Sequence, residues 1–310
     1  MKFAFIFPGQ GSQSVAMMAG FDDLPVVRNT FIEASDILKQ DLWALVTEGP
    51  AEALNQTVNT QPAMLTAGVA VYRAWCEMGG ALPSVMAGHS LGEYSALTAA
   101  GAISFADALP LVRFRAQAMQ DAVGEGVGAM AAILGLDDDV VKAVCVEAAQ
   151  NEVLEAVNFN SPGQVVIAGN KAAVERGMAL AKAKGAKRAL ALPVSVPSHC
   201  ALMRPAADRL AKYLESVNVV RPCVPVIQNA DVASFDDPSA IKAALVAQLH
   251  RPVRWVETIV TMAQDGVQLA LECGPGKVLV GLNKRIDTEM KHQSLLDQAS
   301  IRELILLIKQ

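Results

Sequence analysis

Gly88-His89-Ser90-Leu91-Gly92 is a Gly-x-Ser-x-Gly pentapeptide, and a serine held in such a pattern can act as an acyl-group nucleophile. A short apolar run, Val85-Met86-Ala87, leads into it, and a helical pattern through Tyr94, Leu97 and Thr98 leaves it toward Gly101. Between a strand and a helix the turn lifts the serine hydroxyl out of the sheet. Glycines two residues to either side are then needed, because side chains there would strike neighbouring backbone. The helix start beneath the serine adds a partial positive charge where an oxyanion would form. The bland alternative is a chance match in a helix-capping turn, since so short a pattern is common. The strand–turn–helix setting favours the nucleophile.

A serine hydroxyl needs a base, and the chain has four histidines. His89 lies inside the turn, where its side chain should point away from Ser90. His250 and His292 fall in charged stretches that read as helical and exposed. His199 follows the proline-rich run Pro193-Val194-Ser195-Val196-Pro197-Ser198, at a junction between two parts of the chain. By elimination His199 is the candidate base.

Several elements must position these groups. Residues 2–7 form an apolar run stopped by Pro8-Gly9, as expected of a strand buried on both faces. A helical pattern runs from Pro62 to Glu77 and ends at Gly79-Gly80. Ser104 is placed to cap the next helix, with Asp107 as its capping-box partner. That helix continues past Pro110, which removes a hydrogen bond and bends it, and past Arg115 to about Ala122.

The pattern changes after the glycine-rich joint Gly124 to Gly128. Ala129–Leu134 reads as a strand, Asp137–Gln150 as a helix, and Val153–Phe159 and Val165–Ala168 as paired strands across Ser161-Pro162-Gly163. Lys171–Lys184 reads as a helix and Arg188–Leu192 as a strand. This βαββαβ order is that of a ferredoxin-like unit. The expected architecture is α/β: a large hydrolase-like domain, 1–123 and 198–310, interrupted by a small ferredoxin-like domain, 124–197, with a cleft between them. From Cys200 onward helices and strands alternate, and Val267–Leu271 reads as a strand opening into Gly274-Pro275-Gly276.

Composition narrows the function classes. With 52% apolar and 18% charged residues the chain reads as a packed globule rather than a disordered one. A formal charge of −5 argues against a nucleic-acid binder, which would carry a basic stripe. The five cysteines are scattered and form no CxxC pair, so they read as reduced thiols rather than a disulfide framework or zinc site. The apolar start is too short for a secretory leader and no membrane-spanning run is present, so a cytoplasmic protein is expected. No ligand cluster calls for a metal or a redox cofactor.

Five segments together carry a resemblance. Phe7-Pro8-Gly9-Gln10-Gly11-Ser12-Gln13, Gly88 through Ser95 (GHSLGEYS), and Asn158-Phe159-Asn160-Ser161-Pro162-Gly163-Gln164 come first. Val196-Pro197-Ser198-His199-Cys200 and Glu272 through Leu279 (ECGPGKVL) follow. In kind and order they are similar to the malonyl-CoA:acyl carrier protein transacylases of bacterial fatty-acid synthesis.

The resemblance implies a ping-pong acyltransferase in which Ser90 attacks the thioester and His199 moves the proton. It implies that a backbone carbonyl near Gln248 orients the histidine, and that the N–H groups of Gln10 and Leu91 form the oxyanion hole. Arg115 is implied to bind the free carboxylate of malonyl, a task suited to a guanidinium fork. Spacing alone leaves Arg113 as a rival on another face of the same helix.

The implied partners are malonyl-CoA and acyl carrier protein, with no resident cofactor. Ser198 departs from related polyketide acyltransferases, which often place a bulky aromatic before the histidine to reject a branched methyl. An acidic carrier would need a basic patch, for which Lys182, Lys184, Lys187 and Arg188 form one cluster and Lys277, Lys284 and Arg285 another. Rival readings are an esterase or thioesterase, a carrier-binding module that retains the fold, and an acyltransferase serving a polyketide pathway.

Overall fold

The structure, a computed structural model, describes residues 1–194 and 196–309. Ser195, in the proline-rich run before His199, lies outside the described residues. Among the described residues nine strands are found, β1 (Phe3–Phe7), β2 (Val85–Gly88), β3 (Gly128–Leu134), β4 (Leu154–Ser161), β5 (Gln164–Asn170), β6 (Arg188–Ala191), β7 (Val226–Ile227), β8 (Leu269–Cys273) and β9 (Lys291–Leu295). They form two sheets. One is five-stranded in the order β7-β2-β1-β8-β9, with every neighbouring pair parallel.

Every residue of β1 is buried, because helices cover both faces of this sheet. Phe3, Phe5 and Phe7 point to one side, where Phe5 meets Tyr72 and Trp75 edge-on at 5.7 and 5.2 Å between ring centroids. Ala4 and Ile6 point to the other, against a cluster that includes Trp255 and Ile259. The carboxyl ends of β1, β2, β7 and β8 lead into Gly9, Ser90, Asn229 and Gly274 at one rim. That rim is where open α/β sheets bind their ligands.

The second sheet is antiparallel, ordered β4-β5-β3-β6. Alternation along its strands sorts the two faces. Ala131, Ile133, Val165 and Ile167 pack under the helices Asp138–Ala149 and Lys171–Ala183, whereas Met130, Val166 and Ala168 belong to a separate cluster with Cys200. The sheets are tied by backbone bonds between Val253 N–H and Val157 C=O at 2.8 Å and between Phe159 N–H and Val253 C=O at 3.0 Å.

Three local expectations are corrected. The helix expected from Pro62 begins at Thr57 and carries Pro62 in its interior. The proline forfeits one bond to the Val58 carbonyl, a loss outweighed by burying nearly all of Thr60 to Trp75. The strand expected from Val267 starts at Leu269, because Val267 N–H is spent closing the preceding helix on Met262 C=O around Gly266, whose φ is +80°. His292, expected exposed on a helix, sits in β9 at 6% exposure. There period-two alternation turns Lys291 and Gln293 outward and His292 inward, with its Nε2 3.0 Å from the Asp287 carbonyl oxygen.

Ser104 caps the Phe105–Asp121 helix by accepting from Asp107 N–H at 3.1 Å, and the Asp107 carboxylate takes the serine hydroxyl instead of reaching the cap backbone. Among the described residues no helix is long and apolar enough to cross a membrane.

Candidate active site

Ser90 follows β2 with φ 53° and ψ −108°, a left-handed conformation unusual for a residue with a side chain. The glycines around it answer to contact. A Cβ on Gly88 would lie 1.9 Å from Gly92 backbone, and one on Gly92 would lie 2.0 Å from the Phe7 carbonyl oxygen. A Cβ on Gly9 would lie 2.4 Å from the His89 carbonyl oxygen. The Pro8-Gly9-Gln10 loop thus reaches the serine turn only because it carries glycine there.

Ser90 Oγ is 2.8 Å from His199 Nε2. His199 Nδ1 is 2.7 Å from the Gln248 backbone carbonyl oxygen, an acceptor only, so Nδ1 carries the proton and Nε2 is left to receive the serine's. Gln248 lies in the last turn of the Pro238–His250 helix, where carbonyls have no intrahelical partner. Its neighbour Leu249 C=O accepts the His199 N–H at 3.0 Å. The end of one helix therefore holds both the ring and the backbone of a histidine that itself sits at φ 67°. The negative end of that helix dipole also favours the imidazolium formed in transit.

The His199 pKa is pushed down to about 3, first by burial and then by the Arg115 charge, against the Gln248 carbonyl, which favours the protonated ring. The imidazole is therefore neutral near pH 7.

Arg115 is 1% exposed. Its Nη1 donates to Gln61 Oε1 at 2.9 Å, and its Nη2 donates to Gln248 Oε1 at 2.9 Å and to Ser90 Oγ at 3.2 Å. The guanidinium lies over the Tyr94 ring, 5.2 Å from its centroid. Burial lowers the Arg115 pKa, but an arginine remains charged. No carboxylate pairs with it among the described residues. Glu93, the carboxyl whose charge acts on it, is itself pushed up to about 8 by burial and is mostly neutral at pH 7. A buried cation without a counter-ion, opening on a cavity, calls for an anion. Arg113 instead bonds outside the site, to Gln40 and Leu38, which separates it from its rival.

The cavity in front of Ser90 measures about 230 Å³ and is lined by Gln10, Leu91, Arg115, His199 and Ser198, with Met119, Met130, Val166, Val196 and Leu279 supplying apolar wall. Gln10, in the loop after β1, and Leu91, at the first position of the Leu91–Ala99 helix, line the same cavity, and no acceptor for either N–H is found among the described residues. His89 points away from Ser90 Oγ and toward Asn160, with Nε2 2.8 Å from Oδ1.

All six sequence-named residues thus converge on one place. The sequence assigns no role to Gln61, Asn229 or the Gln248 side chain, whose Nε2 donates to Ser90 C=O at 2.9 Å, nor to Asn160 and Glu93, although these two lie in the resemblance-bearing segments. Outside those segments the visible signal is polarity in an otherwise apolar stretch, as at Thr60-Gln61 within the buried Thr57–Glu77 helix.

The sequence pattern described as the acyl transferase domain matches residues 4–297. The Malonyl CoA-acyl carrier protein transacylase of Salmonella typhimurium is 56% identical over 301 residues, 97% of each chain. The crystal structure of an acyl-carrier-protein S-malonyltransferase from Burkholderia pseudomallei superposes with a TM-score of 0.97 at 61% identity, covering 99% of this chain and 100% of that one. A malonyl-transacylase solved in complex with a type II PKS acyl-carrier protein gives 0.98 at 54% identity over 99% of this chain and 100% of its own. The chain belongs to the acyl transferase domain family and, within it, to the malonyl CoA-acyl carrier protein transacylases.

Proposed function

We propose that this chain carries malonyl from coenzyme A to the phosphopantetheine thiol of an acyl carrier protein, in two half-reactions through a malonyl-Ser90 intermediate. Its setting is chain elongation in cytoplasmic fatty-acid synthesis. The observation that carries this reading is Arg115, a buried guanidinium with no counter-ion, 3.2 Å from the nucleophile's oxygen.

Ser90 Oγ–H gives its proton to His199 Nε2 as the oxygen attacks the thioester carbonyl. The negative charge gathering on that oxygen meets the N–H groups of Gln10 and Leu91. Collapse breaks the carbon–sulfur bond, and the coenzyme A sulfur leaves with the proton from His199. The carrier's thiol then gives its proton to His199 and attacks the ester, and the same steps in reverse release Ser90. No resident metal or redox group has a part in these steps.

Substrate binding also prepares the base. In the free protein the Arg115 charge depresses His199, and Arg115 Nη2 donates into the serine oxygen. A malonyl carboxylate on the guanidinium would offset both effects, making the base stronger when the right donor is bound. Acetyl would leave it weak.

The small antiparallel sheet, in the order β6-β3-β5-β4, supports the ferredoxin-like unit at 124–197, inserted into a hydrolase-like domain of 1–123 and 198–310. That unit's Lys187 and Arg188 form part of a basic rim that Arg285 of the larger domain completes. Lys187, Arg188 and Arg285 line one groove of about 520 Å³, and Arg285 Nη1 donates to Gln164, a residue of the cavity wall, at 3.1 Å. Lys184 is tied to Glu147 at 3.1 Å and Lys277 precedes the cavity residue Val278. This groove is the proposed landing for an acidic carrier.

The test compares initial acylation rates from malonyl-CoA and acetyl-CoA in Arg115→Ala. Loss of a charge-assisted contact should slow malonyl transfer by about 10²-fold while acetyl transfer holds or rises. Equal losses from both donors would contradict carboxylate recognition by Arg115.

A further inference from the structure

A left-handed serine persists only where its surroundings hold it, and the groups holding Ser90 are few. Asn229 stands two residues past β7, at the same rim as Ser90, and is 0% exposed. Its Oδ1 accepts the Ser90 N–H at 2.7 Å, and its Nδ2 donates to the Gly88 carbonyl at 2.7 Å. One carboxamide therefore grips the backbone on both sides of His89, joining the end of β2 to the start of the helix. Asn229 is gripped in turn: its N–H donates to Glu93 Oε2 at 2.6 Å, and its C=O accepts from Arg254 N–H at 3.2 Å. Glu93 lies in the first turn of the helix that follows Ser90. The chain of bonds closes on itself around the serine. Asn229 does not line the cavity, so it has no contact with an acyl donor.

We infer that Asn229 is a positioning residue for the nucleophile. It fixes the Ser90 backbone so that Oγ meets His199 Nε2. By occupying the Ser90 N–H, it also leaves the Leu91 N–H as the turn's donor to the oxyanion. The inference rests on the proposed role of Ser90.

Asn229→Asp separates this role from simple packing. The variant keeps the shape and the acceptor for Ser90 N–H, but its second atom is oxygen. Protonated, the introduced carboxyl can donate to Gly88 C=O as the amide does. Ionised, it faces that carbonyl with a negative charge and pushes the turn away. Activity relative to the parent should therefore fall as pH rises.

The charged or titratable groups around this position are Glu93 on the serine helix, Arg115 on the Phe105–Asp121 helix, His89 and His199. Asp231, paired with Arg251, belongs to the same loop, and Arg254, paired with Glu257, opens the next helix. All are common to parent and variant, so the ratio of the two rates cancels their own titration to first order.

The experiment is single-turnover acylation of the full chain by malonyl-CoA from pH 5 to pH 9, with thermal midpoints measured alongside. Asn229→Ala should slow acylation by about 10²-fold, the usual cost of misplacing a reacting group by an ångström, with KM for malonyl-CoA unchanged. Asn229→Asp should approach the parent rate at pH 5 and lose it progressively as pH rises. An Asn229→Ala chain that keeps its midpoint and acylates at the parent rate would overturn the inference. If that variant does not fold, an Asp variant whose rate ratio stays flat or rises with pH would overturn it instead. A parent chain that forms no adduct on Ser90 would overturn the reading beneath, whereas a reactive parent matched by both variants would overturn this inference alone.

Discussion

The parallel and antiparallel sheets both border the cavity, but they present different things to it. Around the parallel sheet, carboxyl ends of strands and the end of one helix deliver Ser90, Gln10, Gln248 and Asn229, and the body of the Phe105–Asp121 helix delivers Arg115, nearly all of them locked by two or more hydrogen bonds. The antiparallel sheet delivers apolar side chains such as Met130 and Val166, the Asn160 contact to His89, and basic residues on its outer rim. A sheet covered by helices on both faces has a rigid rim able to hold reacting atoms within tenths of an ångström. A sheet covered on one face can give its other face to a substrate. The polar groups around Ser90, Arg115 included, thus come from the parallel-sheet side, while the antiparallel side adds apolar wall and a basic edge, and that division can be broken experimentally.

The largest effect is expected on the parallel-sheet side. His199→Ala should lower acylation by about 10⁶-fold, as loss of the histidine base does in serine hydrolysis, with little change in malonyl-CoA binding. A loss of only a few-fold would place the base elsewhere. The pH profile comes next. With His199 held down to about 3, the base stays neutral as pH falls from 7 to 5, and the acylation rate should stay flat. An ordinary imidazole titrating near 6.5 would lose about 25-fold over that span; such a loss would show that the burial of His199 is relieved in the working protein. The smallest effect belongs to the antiparallel side. Charge reversal at Lys187, Arg188 and Arg285 should slow discharge to the carrier several-fold, more at low salt than at high, and leave acylation by malonyl-CoA unchanged. Equal losses in both half-reactions would erase the division between the sheets.

The same contrast governs what the sequence made legible. Local signals are legible: the Gly-x-Ser-x-Gly turn, the Ser104 cap, and the βαββαβ order each lie within a short window. His199 could be reached by elimination because histidines are few. Arg115 could not be separated from Arg113 by spacing, since only the fold shows that one faces Gln61 and Gln248 while the other faces Gln40. Asn229 lay out of reach. It meets Ser90 from 139 positions along the chain, through a two-residue strand with no pattern of its own. The departures from local expectation are of a related kind. Pro62 within a helix and His292 within a strand both obey tertiary burial over local preference.

The central claim is that Ser90 carries malonyl between two thiols, and intact-protein mass spectrometry after brief mixing with malonyl-CoA tests it most directly. The account predicts a single malonyl adduct that is absent in Ser90→Ala, stable in buffer, and discharged when holo acyl carrier protein is added. An adduct that decays in buffer at the same rate with or without the carrier would contradict it and mark the chain as a hydrolase. No adduct at all would leave the site without the chemistry assigned to it.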